Sequence, residues 1–480
     1  MKKLKLLFVC IFLCTATAFA DDILVNEDNF PDENFRNWIL VQPWGSDGVI
    51  TDAEIAEITR IDAFGRNISD LTGINFFTNL INLNVAWNQL TSLDVSDFTN
   101  LETLFLSGNL LASLDVSNLL NLIDLSVGGN LLTSLNVSNL PNLEQLDARY
   151  NQLTSLDISG LTNLEWLFVC DNQLTSLDLS DLVNLRVLYC ENNQLTSLDV
   201  SNSPNLHLLY CRNNLLTSLN VSGLNRLWEL RCSFNQLTTL DVSGLTNLEI
   251  LNARDNQITS LINISDLTNI GSLDIQNNQL VSLDVSSLTN LFHLNCSHNQ
   301  LTSLDVSNLT NIRVLNVSNN QLTSLDISGL INLASLNCDN NQLTSVDLTI
   351  PNNLRYFSGQ NQTPTLTLIG RDNNYSLEID LNNPTNLVSG LSFSNGILTS
   401  TDRTIASSPF SVETGSTITF HRLSGTLTLK YTDGTNIPEI NVNRTPVAFY
   451  SITGARLGQK PQSGIFIILY DDGSAEKVMR

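Results

Sequence analysis

The stretch CENNQLTSLDVSN, residues 190–202, recurs in near-identical form along most of the 480-residue chain. Aligned on the LTSLDVS core, successive copies lie 21 residues apart, except for one interval of 22 near Ile262. The apolar residue that opens the core lies at positions 90, 111, 132, 153, 174, 195, 216, 237, 258, 280, 301, 322 and 343. One such unit cannot bury both of its apolar edges, whereas stacked units can. The fixed period therefore predicts a repeat array.

The consensus unit reads L-x-x-L-x-C/V-x-x-N-x-L-T-S-L-D-V-S-x-L-x-N. In LRVLYCENN, residues 185–193, side chains alternate around Leu188 and Cys190, which predicts a short parallel strand. The ninth position is asparagine in thirteen consecutive units, from Asn88 to Asn341. The chain must leave the strand and turn there. A buried amide can satisfy turn backbone groups of its own coil and of neighbouring coils.

The sixth position points inward and holds either a small hydrophobic residue or cysteine. The cysteines at this position are Cys190, Cys211, Cys232, Cys296 and Cys338. Stacking would place adjacent Cα atoms about 4.8 Å apart with parallel Cβ vectors, whereas a disulfide needs Cβ atoms about 3.8 Å apart. A straight column in a dry core also cannot wrap around zinc. We therefore expect reduced core thiols, and we expect Cys170, one position later, to face outward.

This pattern resembles the leucine-rich repeat and covers residues 58–363. The 21-residue unit with cysteine at an inward position resembles the cysteine-ladder internalins and related bacterial surface proteins. The resemblance implies a repeat solenoid with a parallel β-sheet on its concave face. It also implies a non-enzymatic role in adhesion or protein binding.

The N-terminal segment predicts export. Residues 1–20 combine three lysines, an apolar stretch and an Ala-x-Ala ending at Ala20, as in a cleaved secretory signal. No later stretch is apolar enough to span a bilayer, so we expect a secreted or outer-surface protein.

Residues 21–57 predict a helical cap, with Thr51 and Glu54 in a capping-box pattern. The loop near Asp47 resembles half an EF-hand, but Pro43 and Gly45 occupy ligand places without side-chain oxygens. A structural cap is favoured, and calcium binding stays open as the alternative.

The C-terminal quarter, residues 364–480, changes in composition. Residues 364–445 alternate as strands and predict a β-sandwich module. Residues 446–480 resemble the sorting segment of type IX secretion cargo, with Y-x-x-x-G, GIFII and DG…KV in order. The alternative is a strand pair that closes the sandwich.

No catalytic or cofactor motif is apparent. The sequence has no nucleophile elbow, phosphate loop or metal-spaced histidine cluster, so we expect neither an enzyme nor a bound cofactor. A net charge of −24 disfavours nucleic acid, because phosphate repels an acidic surface. The fifteenth position carries ten aspartates, among them Asp94, Asp178, Asp199 and Asp305. We expect local hydrogen bonds to these carboxylates, with divalent ions as the alternative.

Function is expected where the copies differ, on the outward strand positions three and five. Three consecutive coils place apolar residues there, surrounded by arginines in a chain short of cations. The predicted ligand-binding patch comprises Trp166, Phe168, Val187, Tyr189, Leu208, Tyr210, Arg212 and Arg231. Clustered Trp, Tyr and Arg are typical of binding interfaces, and a host or bacterial surface protein is the expected partner. The alternatives are a glycan stacked on Trp166, Tyr189 and Tyr210, or a structural spacer whose aromatic residues only stabilise the sheet.

Overall fold

The computed structural model describes residues 22–348, 354–359 and 362 fully, and the backbone of nine further strands between residues 367 and 479. The chain divides into two compact units, Met1–Leu164 and Glu165–Arg480. The predicted signal segment, 1–20, lies outside the described residues. In the described part of the chain, no helix is long and apolar enough to cross a membrane.

Unit 1 begins with a small helical region. It contains the α-helices α1 (Glu33–Leu40) and α2 (Asp52–Glu57) and a 3-10 helix at Ile74–Phe76. Thr51 and Glu54 form the reciprocal capping box at the start of α2. Asp32 caps α1 and also accepts a hydrogen bond of 2.8 Å from the Ser69 amide. Both α-helices lie within the predicted helical segment, 21–57, and the role of this segment in closing the stack stays a prediction.

Seven short strands complete unit 1. They are β1 (Ile23–Leu24), β2 (Val49–Ile50), β3 (Arg60–Asp62), β4 (Asn82–Asn84), β5 (Thr103–Phe105), β6 (Asp124–Ser126) and β7 (Gln145–Asp147). Strands β1 and β2 are antiparallel, whereas β3 to β7 pair in parallel, each with the next. Thr103 pairs with Asp124 and Asp124 with Gln145, so the 21-residue period of the sequence is the register of the sheet.

Unit 2 repeats the same arrangement. Its principal sheet contains β8 (Trp166–Phe168), β9 (Val187–Tyr189), β10 (Leu208–Tyr210), β11 (Glu229–Arg231), β13 (Ile250–Asn252), β15 (Ser272–Asp274), β16 (His293–Asn295), β17 (Val314–Asn316), β18 (Ser335–Asn337), β20 (Tyr356–Ser358) and β22 (Glu378–Ile379). The short strands β12 (Thr239–Asp241) and β14 (Ser260–Ile262) form a separate parallel pair. The predicted leucine-rich repeat architecture with a parallel sheet is therefore confirmed.

The asparagine column connects successive coils. In unit 2, Asn193 Nδ2 donates to the carbonyls of Val169 (3.0 Å) and Cys190 (3.2 Å), and its Oδ1 accepts from the Leu174 amide (2.9 Å). The same pattern recurs from Asn88 in unit 1 to Asn341 in unit 2. Each amide therefore bonds its own coil and the preceding one, as predicted.

The predicted cysteine column lies in the core. Cys190, Cys211, Cys232, Cys296 and Cys338 are free thiols with 0% exposure. Burial raises the pKa of Cys232 and of Cys296 to about 12. The predicted position of this column in the core is confirmed, and the reduced state of its thiols stays a prediction.

The prediction for Cys170 was wrong, because this side chain is buried with only 6% exposure. The seventh position lies where the chain leaves the strand. Other small side chains at this position are buried too, namely Ala86, Ser233, Ser297 and Ser318.

The aspartates of the fifteenth-position column accept hydrogen bonds within their own turns. Asp94 Oδ1 accepts the Ser96 amide (2.9 Å) and Asp305 Oδ1 accepts the Ser307 amide (3.0 Å). These hydrogen bonds hold the pKa of both exposed carboxylates below its usual range. Across the described residues, no group of three or more His, Cys, Asp or Glu could hold a metal ion.

The inserted residue near Ile262 produces a local rearrangement. Asn263 adopts a left-handed conformation with φ 57°, and a 3-10 turn follows at Ile264–Asp266. Ile264 is buried and Ile262 is 40% exposed, so the insertion is absorbed without shifting the core.

Beyond the repeats, only strand backbones are described. They are β21 (Thr367–Gly370), β23 (Leu391–Ser394), β24 (Ile397–Ser400), β25 (Thr428–Tyr431), β26 (Pro446–Ser451), β27 (Arg456–Leu457), β28 (Ile465–Tyr470) and β29 (Ala475–Met479); β19 (Ser345–Asp347) pairs with β21. Strands β26 to β29 form a four-stranded antiparallel sheet. Most of residues 364–445 lies outside the described residues, so the β-sandwich stays a prediction, as does the sorting role of 446–480.

Candidate functional site

Seven of the eight predicted patch residues lie on four neighbouring strands of unit 2, β8 to β11, and Arg212 follows the end of β10. Parallel pairing places Trp166 beside Val187 and Val187 beside Leu208. The sequence folds this way locally because Leu167, Leu188 and Leu209 point into the core between the outward positions and are fully buried. Alternation along each strand then forces positions three and five onto the opposite face.

The fifth position forms a continuous column that we call the aromatic ladder: Phe168, Tyr189, Tyr210 and Arg231. The rings of Phe168 and Tyr189 meet edge to face, with centroids 5.1 Å apart. Those of Tyr189 and Tyr210 are parallel, with centroids 4.4 Å apart. The Arg231 guanidinium lies 4.9 Å from the Tyr210 ring centroid. The three predicted aromatic residues are therefore in contact on one face.

The third position forms a second column that we call the apolar column: Trp166, Val187 and Leu208. Its members are half-buried, as are the three aromatic rings of the ladder. The exposed fraction is lower than the sequence suggested, because rungs about 4.8 Å apart shield one another. The two columns together present a mixed aromatic and aliphatic surface three coils long.

Glu229 fixes the end of the ladder. This carboxylate is only 4% exposed, and it accepts a hydrogen bond of 2.6 Å from Arg231 Nε. Burial, followed by the hydrogen bond to Glu229, raises the pKa of the Tyr210 phenol above its usual value. Glu229 thus orients both the guanidinium and the tyrosine that border the patch.

The second predicted arginine is also paired. Arg212 Nε lies 3.0 Å from Glu191 Oε1, and burial raises the pKa of Glu191. Arg212 itself is exposed and free to reach a partner on its outer side. The rim of the patch therefore carries oriented ion pairs and not a net positive charge.

Sequence reasoning missed Glu191 and Glu229. The signal was present in the 21-residue alignment: Glu229 follows Leu208 in the third column, and Glu191 precedes Arg212 in the seventh. Reading the columns for opposite charges, as well as for apolar residues, would have found both pairs. The arrangement offers aromatic edges, aliphatic surface and fixed charges.

Comparisons with known proteins agree with this fold. The family model described as Leucine Rich repeats (2 copies) matches residues 162–203 and 289–332, and that described as Leucine Rich Repeat matches residues 142–164. A search of curated protein sequences gives no match.

Solved structures give a stronger likeness. The functional domain of InlJ from Listeria monocytogenes, described as including a cysteine ladder, is 25% identical; the alignment covers 96% of this chain and 98% of that one, with a TM-score of 0.68. YopM from Yersinia enterocolitica WA-314 is 27% identical, with coverage of 65% and 68% and a TM-score of 0.51. The Arabidopsis receptor kinase HAESA is 24% identical, with coverage of 62% and 60% and a TM-score of 0.52, and supports the fold alone. The chain thus has a leucine-rich repeat fold and resembles a cysteine-ladder internalin in structure.

Proposed function

We propose that this protein is secreted or surface-attached, has no enzymatic activity, and binds another protein through the sheet face of unit 2. The partner is a protein of a host or bacterial surface, and the contact serves adhesion. The observation that carries the proposal is the aromatic ladder beside the apolar column. Aromatic side chains and arginine are the residue types that dominate the energy of protein interfaces.

The ring geometry favours a protein over a glycan at this patch. A sugar that stacks on an aromatic residue needs a free ring face. Tyr189 and Tyr210 cover each other at 4.4 Å, and the Arg231 guanidinium lies over the Tyr210 ring. The ladder therefore presents ring edges and hydroxyl groups, which suit the side chains and backbone of a protein.

The apolar column argues against a purely structural ladder. Stacking along the fifth column alone would account for stabilisation of the sheet. It does not require three consecutive apolar residues, Trp166, Val187 and Leu208, in the adjacent column. Later coils there carry polar residues such as Ser272 and His293, with single apolar residues such as Val314 among them. A partner that covers both columns would remove apolar area from water, and the binding free energy would become more favourable in proportion to that area.

The test compares the wild-type protein with the Y189S/Y210S double variant. Both are immobilised and exposed to surface-protein extracts, and each captured protein is purified for titration. We expect the variant to bind at least about thirtyfold more weakly, since each of two central aromatic anchors contributes more than about 1 kcal/mol, or about 2 kcal/mol together. Unchanged affinity in the variant would refute the assignment.

The matched control is V314S, which makes an apolar-to-serine change on the third column, on strand β17, away from the patch. It should bind with wild-type affinity. A glycan array probed in parallel identifies a sugar ligand, and binding there that depends on Tyr189 and Tyr210 contradicts a protein partner. Mass spectrometry of the mature protein from the cell surface tests export, cleavage near Ala20 and processing of the C-terminal segment.

A further inference from the structure

A strip of exposed apolar residues lies in unit 1, on the turns that follow strands β4 to β7. The eighth and tenth positions of the repeat face outward there, because the ninth and eleventh are buried, as at Asn109 and Leu111. The strip, which we call the unit 1 strip, comprises Trp87, Leu110, Leu131 and Tyr150, which are 66%, 48%, 45% and 61% exposed. In the nine later coils, position eight is polar in eight and position ten is glutamine in eight. The repeat itself therefore does not require apolar residues here.

The residues of the strip follow the same order from either end. The two outer coils carry an aromatic residue at position eight and glutamine at position ten: Trp87 and Gln89 in one, Tyr150 and Gln152 in the other. The two inner coils both carry glycine at position eight and leucine at position ten: Gly108, Leu110, Gly129 and Leu131. A surface with this order is self-complementary, because antiparallel contact of two copies about a two-fold axis places each residue opposite its counterpart.

The inner glycines leave room for an indole from a second copy. The Trp87 ring lies flat on Gly108, since a methyl group added at Gly108 would be 3.0 Å from Cδ2 and 3.3 Å from both Cε2 and Cε3. The opposite face of this ring accounts for its exposure. A methyl group added at Gly129 would have only backbone atoms of Gly108 within 4 Å, the nearest at 3.5 Å. In the antiparallel contact Gly108 lies opposite Gly129, so the free face of each indole would settle on an uncovered glycine.

The strip also lacks charge. Residues 86–92, 107–113 and 128–134 contain no charged side chain, and Arg149, beside Tyr150, is paired with Asp147 at 2.8 Å. The whole chain carries a net charge of −24, so two copies repel each other and meet best where neither presents a carboxylate. A strongly charged partner would find no counter-charge here. The neutral strip therefore favours a second copy of the chain.

The exposed area suits a weak dimer. A large aromatic side chain buries about 200 Å² when it is fully covered. The exposed fractions of Trp87 and Tyr150 then amount to about 250 Å² in each copy, or about 500 Å² in a dimer. Leu110, Leu131 and the small residues around them add to this, and a specific interface buries about 1,000 Å² or more in total. An interface at this lower limit is typical of micromolar affinity.

We propose that two copies of this protein associate through the unit 1 strip in an antiparallel dimer with two-fold symmetry. Trp87 of each copy contacts Tyr150 and Gly129 of the other, and Leu110 contacts Leu131. The strip belongs to unit 1 and the aromatic ladder to unit 2, so either proposal can fail without the other. The dimer carries two aromatic ladders and thus two partner sites, a consequence that rests on the proposed function.

The repeat supplies substitutions that suit its backbone. Position eight is left-handed, with φ 57° at Trp87 and 54° at Asn192, and asparagine is its commonest occupant. W87N therefore removes the indole without straining the turn. L131Q likewise introduces the residue most common at position ten. Unit 2 offers matched controls, because F234N and L215Q make the same two changes at residues that are each 43% exposed.

The first experiment is sedimentation velocity on the full-length protein. Between about 1 and about 200 μM we expect a monomer–dimer equilibrium with a dissociation constant of about 10 μM. W87N and L131Q should each weaken the dimer at least about tenfold, because each change enters the interface twice. F234N and L215Q should dimerise as the wild type does. Circular dichroism checks that all four variants are folded.

The second experiment tests the two-fold arrangement by cross-linking. Gln89 of one copy lies opposite Gln152 of the other, whereas the two copies of Gln89 lie three coils apart, about 14 Å. A thiol cross-linker shorter than about 14 Å should therefore join Q89C to Q152C in a mixture of the two variants and should not join Q89C to itself. The six described cysteines are buried, so they do not compete for the reagent.

Four results would overturn the proposal. The first is a monomer over the whole concentration range, and the second is a dimer that W87N and L131Q leave intact. The third is cross-linking within Q89C alone but not between Q89C and Q152C, which would exclude the antiparallel contact. The fourth is a monomer that binds phosphatidylcholine vesicles and loses this binding in W87N, which would assign the strip to a lipid surface.

Discussion

The asparagine column makes a quantitative prediction for stability, and Asn193 is the most informative position. The substitution N193A removes the Oδ1 acceptor and the Nδ2 donor, which together hydrogen-bond the residue's own coil and the preceding coil. Asn193 is only 8% exposed, so water cannot replace the lost partners. The Leu174 amide would lose its hydrogen bond of 2.9 Å, and the Val169 carbonyl would lose its hydrogen bond of 3.0 Å. A buried unpaired group costs about 1–3 kcal/mol, so N193A should lower the free energy of unfolding by about 3 kcal/mol.

Two assays measure this loss. Urea unfolding followed by circular dichroism gives the change in stability. Hydrogen exchange of the Leu174 amide gives the local effect, and its protection should fall about a hundredfold for a loss of about 3 kcal/mol. N193D should be at least as damaging at neutral pH, because a carboxylate keeps the acceptor, cannot donate to Val169, and adds a buried charge.

The control is N205A, which removes a half-buried asparagine whose hydrogen bonds are exposed to solvent: it donates to the Val183 carbonyl at 3.0 Å and accepts from Arg226 Nη1 at 2.9 Å. It should cost no more than about 1 kcal/mol, since water reaches that carbonyl. If N193A and N205A unfold within about 0.5 kcal/mol of each other, the asparagine column is not what joins the coils.

Three further predictions concern titration and the core. The D124N variant should be more stable than the wild type by about 1 kcal/mol at pH 7.5, a value already reduced for partial exposure. In the wild type the pKa of Asp124 is raised from the usual 3.8 to about 6, so its charged form opposes folding at high pH. The stability gain of D124N should therefore vanish below about pH 4 in urea titrations. The pKa values of Asp94 and Asp305 are lowered, so these carboxylates stabilise the folded protein above their usual pKa near 3.8, and this stabilisation should be lost as the pH falls below that value. In D94N and D305N the melting temperature should therefore fall less steeply as the pH is lowered through this range. In the core, C211V should melt near wild type, because valine fills the same position at Val127 and Val169, whereas C211S buries a hydroxyl and should cost about 1–3 kcal/mol. Native-state alkylation of Cys211 within minutes would contradict its full burial.

Much of the fold could be predicted because the repeat converts sequence spacing into spatial adjacency. The 21-residue period gave the strand register, so the contact between Tyr189 and Tyr210 followed from alignment alone. The role of Asn193 followed from the chemistry of an amide at a turn. The burial of the sixth-position cysteines followed from the valine and alanine residues that occupy the same position in other coils.

Other features could not be predicted because they depend on how side chains cover one another. Cys170 lies at the seventh position, where the chain leaves the strand and covers small side chains, so alternation along the strand does not predict its exposure. Glu229 is buried although glutamate is usually exposed, since Arg231 and Tyr210 both contact it. The flat indole of Trp87 depends on the missing side chain of Gly108, which only coordinates reveal.

The most direct test of the central claim is hydroxyl-radical footprinting of the protein with and without its purified partner. The claim is that coils stacked in register assemble a protein-binding face from residues 21 positions apart. We predict that partner binding lowers the oxidation of Trp166, Tyr189 and Tyr210 together, while Trp87 and Phe292 keep their unbound rates. Protection confined to other surfaces, with the oxidation of these three residues unchanged, would contradict the account.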